Sequence, residues 1–303
     1  MQFNIVHTIV YKYSRAVFLE PHEVRMQPRN CGYQLLREFV LQVQPTPVGT
    51  THCLDAEGNN VTSVWFDGEH SEMVVTARAR VETTRENPFD YLLRPSGSML
   101  PMQYDESTAR LIQPALQRVA FADEADAVAT FTAPLLRDAQ RQLLPFLDQL
   151  NQTIYTEFEC IHREEGPAWL PTQTLGERRG ACRDLADLFA DACRVAGLAA
   201  RFVSGYQEGD SQQDRRDLHG WAEVYVPGGG WRGYDPTHGV AVADGHVAVA
   251  ASISTQNAAP VTGSFRGTNA TAVMETDIDL HTASQPQPIQ QAQQQQQEMR
   301  AMR

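Results

Sequence analysis

Gly180-Ala181-Cys182-Arg183-Asp184-Leu185-Ala186-Asp187-Leu188-Phe189-Ala190-Asp191-Ala192-Cys193-Arg194-Val195-Ala196-Gly197 is the stretch whose reading decides the fold. Leu185, Leu188, Phe189, Ala192, Cys193 and Ala196 fall on one stripe at three- and four-residue spacing, the pattern of an amphipathic helix. Gly197 stands where a helix C-terminal stop belongs. Strand-like runs follow: Ala200 to Tyr206, Gly220 to Val226, Trp231 to Asp235 and a pair flanking Asp244-Gly245, each short, β-prone and bounded by turn residues. A helix group followed by a strand group reads as α+β.

Upstream of this stretch, leucines and isoleucines recur at helical spacing between Ser107 and about Arg118, and again from Pro134 to about Glu157. Leu135, Leu136, Leu143, Leu144, Phe146, Leu147 and Leu150 carry the second of these predicted helices. From Phe3 to about Thr84 the chain consists of β-rich runs separated by turn residues, such as Asp55-Ala56-Glu57-Gly58-Asn59-Asn60 and Asp67-Gly68, which predicts an antiparallel β-sandwich. Its charged positions alternate with apolar ones in Met73 to Glu82, so one face is expected to be solvated. Arg94-Pro95-Ser96-Gly97-Ser98 has the composition of a linker. The expected division is a β-rich domain over 1–96, a second domain over 97–282, and a glutamine-rich tail over 283–303 too poor in apolar residues to fold.

Composition narrows the function classes. Among 303 residues, Lys plus Arg number 25 and Asp plus Glu 37, a net charge of -12, and no window gathers the basic residues into a patch. Nucleic acid and anionic membrane are therefore poor partners on this reading. The first residues lack a basic segment followed by an apolar run, and no stretch approaches the ~18 apolar residues of a spanning helix, so a soluble, cytoplasmic protein is expected. Cys31, Cys53, Cys160, Cys182 and Cys193 are odd in number and lack CxxC spacing, which argues against a disulfide framework and a zinc ribbon; most read as small buried side chains. His219, His238 and His246 lack ligand-like spacing with Cys182, so neither a metal nor another cofactor is expected.

A lone cysteine or histidine is most often core or surface, and position changes that reading here. Cys182 opens a helix directly after small residues, where partial positive charge favours thiolate over thiol. Cys193, about three turns further on the same face, lies some ~16 Å away, too far to share a disulfide or a metal with it. His219 begins a strand whose alternate residues Gly220, Ala222, Val224 and Val226 would face the core, leaving the imidazole toward a cleft. Pro227-Gly228-Gly229-Gly230 turns the chain back toward Asp235. A hairpin centred near Pro227 makes His219 and Asp235 cross-strand neighbours, and a later centre needs a bulge. Thiol, imidazole and carboxylate supply the nucleophile, base and orienting acid that acyl transfer requires. The Cys182 backbone N–H would hold part of an oxyanion, with Trp169, Gln173 and Trp221 as second donors by residue type only. Trp169, Arg183, Tyr206 and Trp221 are the candidates for the cleft wall. Asp184 reads as a first-turn acid that complements the helix dipole.

Four blocks carry a family resemblance: Arg179-Gly180-Ala181-Cys182-Arg183-Asp184-Leu185, Gly197 to Tyr206, His219-Gly220-Trp221-Ala222-Glu223-Val224-Tyr225, and Gly230-Trp231-Arg232-Gly233-Tyr234-Asp235-Pro236-Thr237. In this order they resemble the bacterial transglutaminase-like superfamily, often described as candidate cysteine proteases. Tyr11-Lys12-Tyr13 and Arg25-Met26-Gln27-Pro28-Arg29 resemble the N-terminal region that accompanies it. The resemblance implies a papain-like or transglutaminase-like core of helices on an antiparallel sheet, with Cys182, His219 and Asp235 as catalytic residues. Ala250-Ala251-Ser252-Ile253-Ser254 stands where relatives often carry a Gly-Arg-Asp-Tyr-like string, so that side of the cleft differs. The expected activity is a thiol-dependent acyl enzyme, a cysteine peptidase or amidase acting on a peptide or protein substrate. The alternatives are a non-catalytic peptide-binding module on the same fold and a protein-glutamine amine transferase.

Overall fold

A computed structural model describes residues 1–94, 98–118, 126–163, 166–209 and 216–283. The first part of the chain forms β1 (Gln2–Leu19), β2 (His22–Val24), β3 (Gln34–Gln44), β4 (Gly49–Leu54), β5 (Asn60–Trp65) and β6 (Glu69–Thr83). Along β6, Met73, Val75, Ala77, Ala79 and Val81 are buried in strict alternation, as period two demands when one face meets a core. β1, β6 and β3 pair antiparallel in one sheet, and β2, β5 and β4 in another. Ile9, Val17 and Met73 of the first sheet share an apolar cluster with Val24, Val64 and Phe66 from the side of the second, which is the expected sandwich.

The middle of the chain supplies α1 (Glu106–Leu116), α2 (Ala127–Asp138), α3 (Leu143–Glu157), β7 (Glu159–Cys160), α4 (Pro171–Glu177), β8 (Arg179–Gly180) and α5 (Cys182–Val195). The single helix expected from Pro134 to Glu157 is two, broken where Gln140 and Arg141 take φ of 51° and 57°. Left-handed backbone ends a helix whatever the side-chain period, and the leucine spacing runs on across the break without marking it. α5 matches the expected span, and Gly197 (φ 75°) reverses the chain after it. Its Leu185, Leu188, Phe189 and Cys193 are buried against α2, α3 and the sheet, so this helix is the axis of the second core.

Next come β9 (Ala200–Gln207), β10 (His219–Val226), β11 (Gly230–Asp235), β12 (Val240–Ala241) and β13 (His246–Ser252), an antiparallel sheet in the order β12-β11-β10-β9-β13. Ala222, Val224 and Val226 pack with α5, as the alternation predicted. Trp221 and Glu223 on the opposite face are also buried, because that side of the sheet is covered too.

Beyond a short 3₁₀ turn at Thr255–Ala258 the chain goes back to the sandwich as β14 (Val261–Thr262), β15 (Phe265–Arg266) and β16 (Ala272–Ala283). β14 pairs with β2, β15 with the end of β1, and β16 with β1 from Gln2↔Ala283 to Tyr13↔Ala272. A boundary that assigns 97–282 to one unit therefore does not follow the hydrogen bonding. Strands 261–283 complete the first sheets, covering an edge of β1 that would otherwise present unpaired N–H and C=O groups. Most of the linker and all of the tail beyond Ala283 fall outside the described residues. Among the described residues, no helix is long and apolar enough to cross a membrane.

Candidate active site

α5 starts at Cys182 because the chain arrives extended at Ala181, with φ -70° and ψ 165°. Alanine has no acceptor to cap the turn, and Asp184 satisfies the Ala181 N–H instead, with Oδ2 at 2.8 Å. Asp184 Oδ1 accepts the Trp169 backbone N–H at 2.8 Å, and Arg163 Nη2 donates to both carboxylate oxygens at 2.7 and 2.8 Å. This fully buried carboxylate thus ties the 163–169 segment to the start of α5, a larger structural role than complementing a dipole. Gly180 makes room for it: a Cβ there would lie 2.8 Å from Asp184 Cβ. Cys182 is half-buried at the N-terminus of the helix, whereas Cys193 is wholly enclosed by the core.

His219 opens β10 and Asp235 closes β11, and the hairpin register is Ala222↔Tyr234 through Val226↔Gly230. Extending that register sets Asp235 opposite Trp221, so His219 is its diagonal neighbour and not its direct partner. No bulge is needed, since diagonal positions on one face lie within reach of a long side chain. His219 Nε2–H donates to Asp235 Oδ2 at 2.7 Å. Cys182 lies in the same cavity wall as the imidazole, near enough for its charge to help raise the His219 pKa. The structure thereby gathers Cys182, His219 and Asp235 at one site.

Asp235 has further partners that the sequence did not announce. Its Oδ2 also accepts His238 Nδ1–H at 2.8 Å and His246 Nε2–H at 3.1 Å, and its Oδ1 accepts the Thr237 backbone N–H at 3.0 Å. Burial pushes the Asp235 carboxyl up, but the charge on His219 and the donated hydrogen bonds outweigh it and hold the group well below the usual carboxylate range. Burial likewise lowers His219, yet the Asp235 charge, its hydrogen bond and then Cys182 outweigh it and raise the imidazole to about 10. His246 is different: burial dominates and its pKa is lowered. Sequence spacing pointed away from metal ligation, whereas folding brings one ligand atom each of His219, Asp235 and His238 within 4.8 Å of one another. Hydrogen bonds from the two imidazoles to Asp235 account for this cluster.

A cavity of about 610 Å³ opens in front of Cys182 and His219. Arg183 lines it, as expected of a cleft residue. Trp169, Tyr206 and Trp221 do not, and each has a physical reason. Trp169 is held by its backbone to Asp184 and its ring lies under Arg163, 4.9 Å from the guanidinium carbon. Tyr206 is buried where β9 meets the sandwich, its hydroxyl 3.0 Å from His7 Nδ1. Trp221 is 1% exposed, meets His246 edge-on at 5.2 Å, and closes the site from behind. Gln173, in α4, also lies off the cavity wall. Two kinds of wall residue were missed. Ile9 and Tyr11 of β1 with Met274 and Thr276 of β16 form a side contributed by the sandwich. Cys160 also lines the cavity and is exposed, as is Cys53, so of the five cysteines only Cys193 is fully buried. Cys160 arrives through the parallel pairing Cys160↔Gly180, which two-residue strands do not advertise in sequence.

A helix that starts at a cysteine and packs on an antiparallel sheet whose hairpin bears histidine and aspartate defines a class of thiol-centred α+β folds. The chain carries two regions of transglutaminase type: residues 130–236 match the model of the transglutaminase-like superfamily, and residues 3–82 match a model of the bacterial transglutaminase-like N-terminal region. Uncharacterized proteins of Mycobacterium tuberculosis and Mycobacterium leprae are 25% and 24% identical, each over 92% of this chain and over 92% and 96% of their own lengths. A protein-glutamine gamma-glutamyltransferase of Pseudomonas aeruginosa is 38% identical over 71 residues, 21% of this chain and 11% of that protein. A solved structure from Cytophaga hutchinsonii, described as a candidate cysteine protease, superposes with a TM-score of 0.66 at 20% identity, covering 94% of this chain and 92% of that one, and shares the fold.

Proposed function

We propose that the protein is a thiol-dependent acyl enzyme that cleaves a peptide or amide bond, with Cys182 as nucleophile, His219 as general base and acid, and Asp235 as the group that orients His219. The observation that carries this reading is the hydrogen-bonded His219–Asp235 pair sharing a cavity wall with Cys182 at the start of α5. The thiolate of Cys182 attacks the substrate carbonyl carbon, and the carbonyl π electrons move to oxygen. The Cys182 backbone N–H, at a helix start with no preceding turn to occupy it, faces that developing charge. As the tetrahedral species collapses, the His219 imidazolium gives its proton to the leaving nitrogen, the C–N bond breaks and a thioester remains. Water then adds to the thioester with His219 taking its proton, and the acid leaves as the sulfur departs. Asp235 keeps its hydrogen bond to Nε2 throughout, so the nitrogen facing Cys182 is the one that exchanges protons.

Hydrolysis is favoured over transfer to an amine because water always has access to an open cavity. The test is the rate of Cys182 alkylation by iodoacetamide at pH 6, in the wild type and in His219→Ala. A wild-type rate at least tenfold above that of the variant is expected, since only the imidazolium can hold a thiolate at that pH. Equal rates would remove the activated nucleophile. Mass spectrometry of the protein after exposure to a peptide mixture, with and without a primary amine, then distinguishes a hydrolysed from an aminolysed thioester.

A further inference from the structure

Two imidazoles at Asp235 take no part in the proton transfers described above. Those of His238 and His246 reach the same carboxylate oxygen as His219, so Oδ2 accepts three N–H groups while Oδ1 accepts one backbone N–H. A carboxylate left to one imidazole partner can rotate about its Cα–Cβ and Cβ–Cγ bonds, and each rotation takes Oδ2 off the line to Nε2 of that partner. Something must fix its plane, and the two extra histidines are not equivalent in this respect.

His238 follows Asp235 in the same turn, three residues along, and 42% of its side chain is exposed. Its contact is local and moves with the carboxylate. His246 comes from the start of β13, which is two strands away from β10 across β9. It is buried, with the Trp221 ring edge-on against it at 5.2 Å and 75°. Gly205, between β10 and β13 on β9, keeps that space open: a Cβ there would fall 2.6 Å from the Trp221 ring and against the Val247 carbonyl oxygen. A buried side chain wedged between strand and indole has few rotamers available, which is what an orienting group requires.

We propose that His246 is a positioning residue of the site: its Nε2–H, fixed by the packing of Trp221 over Gly205, holds the Asp235 carboxylate in the plane that directs Oδ2 at His219. The inference rests on the reading of Cys182 as a nucleophile activated by His219. Because burial keeps His246 neutral, it donates a hydrogen bond without cancelling the carboxylate charge that His219 needs. A neutral donor and a charged neighbour therefore divide the task, one fixing the geometry of Asp235 and the other responding to its charge.

The test compares His246→Leu, which removes the donor at similar volume, with His246→Gln, whose amide Nε2 returns an N–H close to the imidazole position. The readout is the iodoacetamide rate at Cys182 at pH 6, with wild type and His219→Ala alongside. His246→Leu is expected to react at least tenfold more slowly than wild type, and His246→Gln within threefold of it. A wild-type rate in His246→Leu overturns the inference, and so does a glutamine variant as slow as the leucine one. If wild type and His219→Ala react alike, the nucleophile reading itself has failed, a separate outcome. A measurement on the unmodified protein covers the case of variants that do not fold. Imidazole ¹⁵N spectra at pH 7 are expected to find His246 neutral with its proton on Nε2, and a proton on Nδ1 alone overturns the proposal.

Discussion

Replacing Asp184 by alanine tests whether this carboxylate is an anchor or a chemical group. It is fully buried and takes four hydrogen bonds, two from Arg163 Nη2 and one each from the Ala181 and Trp169 backbones. Removing one partner of a buried ion pair costs about 3–5 kcal/mol. The Arg163 side chain keeps 18% exposure and its bond to the Pro167 carbonyl, so the lower figure, about 3 kcal/mol, applies to that part. The two backbone N–H groups left without this acceptor add roughly 1–3 kcal/mol each, reduced by water entering the vacated space. With each part at the low end of its range the total loss is about 5 kcal/mol, a large part of the ~5–15 kcal/mol by which folded domains are stable. Asp184→Asn keeps one acceptor oxygen and should lose about half as much. Urea unfolding followed by circular dichroism gives the stability, and iodoacetamide labelling at low urea gives the reactivity of Cys182. If Asp184→Ala stays within about 1 kcal/mol of wild type while Cys182 loses its reactivity, Asp184 belongs to the chemistry and the structural reasoning is wrong.

The raised pKa of His219 and the lowered one of Asp235 fix the sign of the pH dependence of stability. The His219 contribution is complete below its ordinary value of 6.5 and is lost as pH rises through about 10; that of Asp235 is present above 3.8 and is lost as pH falls through its depressed value. Melting temperature should therefore decline between pH 7 and 10 in wild type and much less in Asp235→Asn, and parallel curves would contradict the pairing. Gly205→Ala puts a Cβ 2.6 Å from the Trp221 ring and against backbone, so urea unfolding should register a loss of about 2 kcal/mol or more. Met274→Lys places a charge on the sandwich side of the cavity; it should leave iodoacetamide labelling of Cys182 unchanged while slowing labelling by a peptide-like electrophile with a large apolar side chain.

What could be read in the sequence was local. α5, of 14 residues, and the hairpin of β10 and β11, from His219 to Asp235, carry complete periodic patterns, and Gly197 and Pro227-Gly228-Gly229-Gly230 mark their ends. The break at Gln140 and Arg141 escaped because neither residue is one that favours left-handed backbone. β16 escaped for the opposite reason: its partner lies at the other end of the chain, as Gln2↔Ala283 illustrates, and no period within either strand names the other. His246 and Cys160 reach the site the same way, through pairings of β13 and β7 that only the folded chain creates. Trp221 was expected in the cleft on alternation alone, which gives a face but not what covers it.

The cavity has one wall from the core that holds Cys182 and another from β1 and β16. A molecule filling it touches both and acts as a clasp between them. By mass action it adds RT ln(1 + [L]/Kd) to the stability of the joined state and nothing to either half apart, so about 2.7 kcal/mol at a hundredfold excess over Kd would go into their cohesion. Occupancy and the integrity of the whole chain are then linked quantities. A substitution in strand β16, whose Met274 and Thr276 line the cavity, therefore bears on both at once.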